Sequence, residues 1–124
     1  MAKALILLLF LSPLILSANP KQYLSCICMD SNLLCVEEKL WLHIDKEKSK
    51  FSVIDERSIK LSESHRGGKE YDLVETGEEY NSLNRTTLIY QPGLISYQCR
   101  IISRERLISE TKEFLSKFLK GRKL

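Results

Sequence analysis

The placement of the cysteines constrains this chain more than any other feature. Cys26, Cys28 and Cys35 fall within about ten residues, and Cys99 stands alone far downstream. Four thiols can be joined in three ways. A Cys26–Cys28 bond would close a very small, strained ring, which disfavours the pairing that contains it. Each of the other two pairings ties the N-terminal region to Cys99 and closes a small local loop at Cys35. The long bridge would enclose about seventy residues and contribute roughly 4 kcal/mol by chain entropy. That is a large part of the roughly 5–10 kcal/mol that holds a small domain together. Structural zinc prefers Cys-x-x-Cys pairs, so the Cys-x-Cys spacing and the lone Cys99 argue for disulfides over a four-thiolate metal site.

Disulfides need an oxidising compartment, and the N-terminus supplies the route. Lys3 is the only charge before Lys21, and Ala4 to Leu16 reads ALILLLFLSPLIL, followed by Ser17 and Ala18. A positive start, a short apolar run and a small-residue exit make a secretory signal peptide over 1–18. The run is shorter than the about 20 residues of a membrane span and carries Pro13. An uncleaved anchor is the rival reading, because Leu16 is large for the position three residues before the cut. A lipoprotein is disfavoured by the poor Tyr23-Leu24-Ser25 approach to Cys26. All three place the folded part outside the cytoplasm, secreted or periplasmic.

Cleavage leaves about 106 residues, enough for one small domain. The whole chain carries 19 Lys and Arg against 16 Asp and Glu. Losing Lys3 brings the mature balance close to neutral, which gives no general reason to expect nucleic acid. Only the end, with Lys117, Lys120, Arg122 and Lys123, is locally basic.

Leu40, Leu42 and Ile44 alternate with Lys39, Trp41 and His43, a half-buried strand pattern within Leu33–Ile44. The polar turn Asp45–Ser49 leads to a return strand at Phe51, Val53 and Ile54. Ile59 and Leu61 mark a third short strand. Ser62–Glu70, with Gly67-Gly68, reads as an exposed loop, and Tyr71, Leu73 and Val74 as another strand. Thr86–Tyr90 and Leu94–Ile102 form a hairpin in which Pro92-Gly93 suits a type II turn. Ile95, Tyr97, Cys99 and Ile101 share one face of its second strand, which points Cys99 inward.

The period then changes. Ser103 is a good N-cap, and Leu107, Ile108, Thr111, Phe114, Leu115, Phe118 and Leu119 form one helical stripe. Arg104, Glu105, Arg106, Glu110, Lys112, Glu113 and Lys117 take the other sides. The stripe can pack on the sheet, pair with a partner helix or lie on a membrane surface. Its mixed acidic and basic polar face counts against the membrane.

Chemistry-bearing residues are few. His43 and His65 are the only histidines, and neither sits beside a nucleophile in a recognisable motif. The pairs Glu37-Glu38, Asp55-Glu56 and Glu78-Glu79 read as solvated surface, because neighbours on a strand face opposite ways. No phosphate-cradling loop is visible. Asn84-Arg85-Thr86 fits an N-glycosylation acceptor.

The order of features resembles a loose group of small exported bacterial proteins of unknown function. It rests on Tyr23 to Cys26 at the start, Ile44-Asp45, Phe51-Ser52-Val53, an Asn84-Arg85-x-Thr87 stretch leading into Tyr90, and a closing Tyr97-Gln98-Cys99. The likeness covers Tyr23 to Ile102. Leu88 stands where the group's turn glycine is usual, and the C-terminal helix lies outside the likeness. The resemblance implies fold and location and no activity.

The sequence therefore predicts an α+β, mainly β protein: a signal peptide at 1–18, a disulfide-stapled antiparallel sheet of four to six strands at 19–103, and an amphipathic helix at 104–124. Its expected role is that of a non-enzymatic binding or accessory module, an inhibitor or envelope-associated protein acting on an unknown protein or envelope partner, with no cofactor, metal or nucleic acid. A small secreted hydrolase with an unrecognised site is the alternative. Membrane contact is left to the helix or an uncleaved signal, and the chain is expected to be a monomer or weak oligomer. A pocket holding His43 or His65 beside a carboxylate would favour the enzyme; a flat aromatic patch near Trp41 would favour the binding module.

Overall fold

The computed structural model describes residues 20–29, 35 and 37–121. The signal peptide reading at 1–18 lies outside the described residues, as do Leu33 and Leu34 of the first predicted strand and Arg122 and Lys123 of the basic tail.

Along the chain the elements are β1 (Lys21–Cys28), β2 (Lys39–Asp45), β3 (Lys50–Asp55), α1 (Glu56–Ser62), β4 (Lys69–Asp72), β5 (Glu75–Thr76), β6 (Glu79–Tyr80), β7 (Leu83–Asn84), β8 (Ile89–Tyr90), β9 (Tyr97–Ile102) and α2 (Arg104–Lys120). The nine strands among the described residues form one antiparallel sheet, in the order β4-β3-β2-β1-β9-β8-β7-β6-β5, curled into a half-barrel. The α+β class and the C-terminal helix are as predicted, but the sheet exceeds the predicted four to six strands. The additions are the central strand β1 and the two-residue strands β5, β6 and β7.

Both faces of β1 are covered, so its Tyr23 and Ser25 interrupt the apolar pattern that marks a one-sided strand. The short strands are held by turns instead of by runs of apolar residues. Asn81 and Ser82 link Tyr80 to its partner Leu83, with φ of 48° and 71°. Two positive φ values in a two-residue loop match a type I′ hairpin. The Asn81 side chain adds bonds to the Val74 N–H (2.7 Å) and the Asp72 carbonyl (3.2 Å).

Two expectations are corrected. Ile59 and Leu61 lie in helix α1, because Asp55 caps it by accepting from the Ser58 N–H at 2.7 Å. Ile59 is buried and Leu61 is 77% exposed, the split of a helical turn. Asp55 is thus a cap and only partly solvated. The β8–β9 hairpin forms, but the strands part at Tyr90 and Tyr97 and Gly93 does not take the positive φ of a type II turn. The loop ends are drawn apart by other partners: the Gln91 N–H donates to the Ser82 carbonyl, and the Ser96 carbonyl accepts from Met29.

The inner face of the half-barrel buries Leu24, Leu42, Ile44, Phe51, Tyr80, Leu83 and Tyr90. Cys26 and Cys99 are direct partners across β1 and β9 and are bonded there, and Cys28 bonds Cys35. All four cysteines are paired, in one of the two arrangements that close a long bridge and a local loop. Tyr97 and Cys99 point into this core as predicted, whereas Ile101, opposite the buried Leu24, is 59% exposed. Two disulfides in so small a β domain fit an extracellular or periplasmic location.

The outer face is covered by the helices. Trp41, Ile54, Ile59 and Leu107 form its core, with Tyr23, Ile102, Phe114 and Leu115 packed against them. Ser103 caps α2 by accepting from the Arg106 N–H at 3.1 Å. The stripe's Leu107, Thr111, Phe114 and Leu115 therefore face the protein's own sheet, whereas Leu119 at its end is 41% exposed. Thr111 is fully buried there, its hydroxyl donating back to the Leu107 carbonyl at 2.8 Å.

Candidate functional site

Antiparallel register aligns Tyr23, His43, Ser52 and Glu70 in one row across β1, β2, β3 and β4. The row lies on the outer face, beside the start of α2. The α1–β4 loop comes back over its edge and brings His65 and Arg66. Glycine makes that return feasible: Gly68 has φ of 152°, and a Cβ there would stand 2.5 Å from the Val53 carbonyl oxygen. Between loop, row and helix lies a cleft of about 360 Å³. The two histidines, far apart in sequence, thus share one cavity with Glu70.

His43 forms the floor. Its ring stacks on Tyr23, with centroids 4.6 Å apart and planes 13° from parallel. Its Nε2 is buried and makes no hydrogen bond among the described residues. Leaving such an atom unpaired costs about 1–3 kcal/mol. Burial pushes the ring's pKa below the ordinary 6.5; Lys21 and Arg104 push the same way, against Asp45 and Glu70. The floor is therefore a neutral imidazole at pH 7. The walls carry Lys21, Arg66 and Arg104 against the single carboxylate of Glu70.

The row's order matters for chemistry. In a nucleophilic triad the histidine lies between the hydroxyl it deprotonates and the carboxylate that orients it. Here Ser52 lies between His43 and Glu70, so Glu70 does not orient His43; Asp45, two residues along β2, acts on the ring's charge but is engaged by the Lys48 N–H.

A second polar cluster lies beneath the helix and was hidden from the sequence reading, which assigned Glu110 to the solvent side. Glu110 is 11% exposed. Its Oε1 accepts from the Trp41 Nε1–H and the Ser25 hydroxyl, both at 3.1 Å, and its Oε2 accepts from Arg106 Nε at 2.7 Å. Lys39 and Arg100 lie within 3.5 Å. Desolvation raises its pKa, but the Arg106, Trp41 and Ser25 bonds and the Lys39 charge outweigh it and hold the carboxyl at about 2. Glu110 thereby satisfies two buried donors of the sheet, a structural role. The signal was its spacing, three residues after Leu107 and one before Thr111, which puts it on the buried stripe. Trp41 itself is 1% exposed and packs beside Phe114, so it offers no aromatic surface to a partner.

The Asn84-Arg85-x-Thr87 stretch is also structural. Asn84 Oδ1 accepts from the N–H groups of Thr86 (2.8 Å) and Thr87 (2.9 Å). Arg85 lies over the Tyr80 ring at 4.3 Å and donates to the Tyr80 hydroxyl, the Glu78 carbonyl and the Gly77 carbonyl. Leu88, where the resembling group has glycine, has φ of 58°, a left-handed conformation that favours glycine. The carboxylates Glu37 and Glu78 likewise have local partners, the Arg57 N–H and the Thr86 hydroxyl.

No helix among the described residues is long and apolar enough to cross a membrane. No family model, curated protein or solved structure matches this chain.

Proposed function

We propose that this protein is a non-enzymatic exported binding module that holds a small ligand, or one side chain of a partner, in the His43 cleft. The observation that carries this reading is a preformed cavity whose floor has a buried, unpaired imidazole nitrogen. A cleft of a few hundred Å³ with a few converging polar side chains is where small ligands bind, and an unpaired nitrogen buried beside it marks a strained polar site. The signal peptide read from the sequence over 1–18 and the two disulfides support a site in the envelope or outside the cell.

The hydrolase reading draws support from the cleft itself, which holds His43 and His65 beside Glu70 and Ser52, the pocket expected of an enzyme, and from the burial of Trp41, which removes the aromatic face expected of a binding module. Against it stand His43 Nε2, which bonds neither Ser52 nor a carboxylate among the described residues, and Asp45, whose carboxylate accepts from the Lys48 N–H. One experiment separates the two. A ligand-detected NMR screen of small anionic, neutral and cationic molecules is run beside an assay with activated esters. Binding that His43→Gln or Ser52→Leu weakens, without ester turnover, supports the module. Ester turnover abolished by His43→Gln and by Ser52→Ala would establish the enzyme instead, and a screen with no binder sensitive to either cleft variant would remove the site.

A further inference from the structure

We infer that the His43 cleft selects an oxyanion, a carboxylate or phosphate group on a small ligand or partner side chain; this rests on the cleft being a ligand site at all. The first ground is charge. Lys21 from β1, Arg66 from the α1–β4 loop and Arg104 from α2 converge on one cavity from three separate elements. Glu70 is the one acid among the cavity's lining residues; Asp45, the cross-strand partner of Lys21, is buried and accepts from the Lys48 N–H at 3.1 Å, so it offsets part of the Lys21 charge and leaves Arg66 and Arg104 as the main excess. The excess of cations is local, because the chain as a whole is close to balanced. All three are exposed at the cavity's edge, where water screens their mutual repulsion, and an oxyanion seated between them accepts charge-assisted hydrogen bonds.

The second ground is where Arg104 stands. It is the first residue of a 17-residue helix, directly after the cap. The helix dipole is positive there and favours an acid. Glu105 answers the dipole but does not line the cleft, whereas Arg104 adds its charge to the positive end and does. A cation at that position weakens the helix and strengthens the field in the cavity. An arginine also presents a planar fork that matches a carboxylate or phosphate in two-point contact.

The third ground is the floor. His43 is neutral when the cleft is empty, because burial and the same two cations, Lys21 and Arg104, oppose its protonation. An anion seated among those cations reverses their influence, so it should raise the His43 pKa and bind more tightly as pH falls toward that value. Lys21, Tyr23, Asp45, His65, Arg66, Glu70 and Arg104 are the titratable and charged groups around His43. A carboxylate ligand and a phosphate ligand share this chemistry.

The test uses the disulfide-bonded protein as recovered after export, with the ring signals of His43 and His65, the only two histidines, as the readout. Acetate, inorganic phosphate and, as a neutral control, glycerol are titrated at constant ionic strength. At least one anion should move both ring signals saturably and raise the His43 pKa, and glycerol should do neither. The better of acetate and phosphate identifies the ligand class. Arg104→Gln and Arg66→Gln should each weaken that binding about tenfold, and Lys120→Gln, outside the cleft, should leave it unchanged. Absence of a saturable response to both anions, or a response indifferent to Arg104→Gln and Arg66→Gln, would overturn the inference. If neutral or cationic molecules from the wider screen bind and His43→Gln removes them, the cleft remains a site and the anion inference alone falls.

Discussion

Replacing Glu110 with glutamine removes a charge and almost nothing else. Glutamine keeps the shape and an acceptor oxygen for Trp41 and Ser25, but it cannot offer a negative charge to Lys39, Arg100 and Arg106. The carboxyl's pKa, held at about 2 against an ordinary 4.5, corresponds to roughly 3 kcal/mol at about 1.4 kcal/mol per pH unit. Arg100 and Arg106 are more than half exposed, so solvent screening lowers this to about 2 kcal/mol. The sign follows from the direction of the shift. A depressed carboxyl pKa contributes stability that is complete above about pH 4.5 and is lost as pH falls toward 2. Urea unfolding followed by the fluorescence of Trp41, the only tryptophan, measures both proteins. Glu110→Gln should be less stable by about 2 kcal/mol at pH 7, and the gap should shrink to about half or less by about pH 3. A gap below about 0.5 kcal/mol at pH 7, or one of constant size from pH 7 to pH 3, would refute the assignment of Glu110 as a charged clasp between helix and sheet.

Other outcomes follow from the same structure. Cys99→Ser opens a bridge spanning 73 residues and should cost roughly 2–5 kcal/mol in denaturant unfolding, and mass spectrometry of the unreduced wild type should find no free thiol. Leu107→Ala, at the buried contact of α2 with Trp41 and Ile59, should cost about 2–5 kcal/mol; a chain ending at Ser103 should expose the outer face and bind a hydrophobic dye, and a folded, monomeric truncation would show the helix to be dispensable. N-terminal sequencing of exported protein should begin at or near Asn19, and recovery of membrane-bound protein retaining Met1 would favour the anchor.

Much of the frame is legible in the residues because its causes are local. The alternation at Leu40, Leu42 and Ile44, the polar turn at Asp45–Ser49, the Ser103 cap and the Leu107–Phe118 stripe each depend on neighbours within a turn or a strand. The same locality explains the errors. Ile59 and Leu61 fit a strand by spacing, and only the Asp55 cap and the burial of Ile59 select a helix. Tyr23 and Ser25 break the apolar pattern of β1, since a central strand covered on both sides has no need to alternate.

The sequence by itself determined that this chain has the marks of export, that its cysteines favour a long bridge, and that an apolar helix must find a cover. It could not choose between Cys26 and Cys28 as the partner of Cys99, because that choice is a register between β1 and β9, seventy residues apart in the chain. Nor could it join His43, His65 and Arg104. Pairing of β1 with β2 and β3, a glycine-enabled return of the α1–β4 loop and the docking of α2 bring them to one cavity. Those placements arise from long-range hydrogen-bond register and helix packing, and residue spacing along the chain does not encode them.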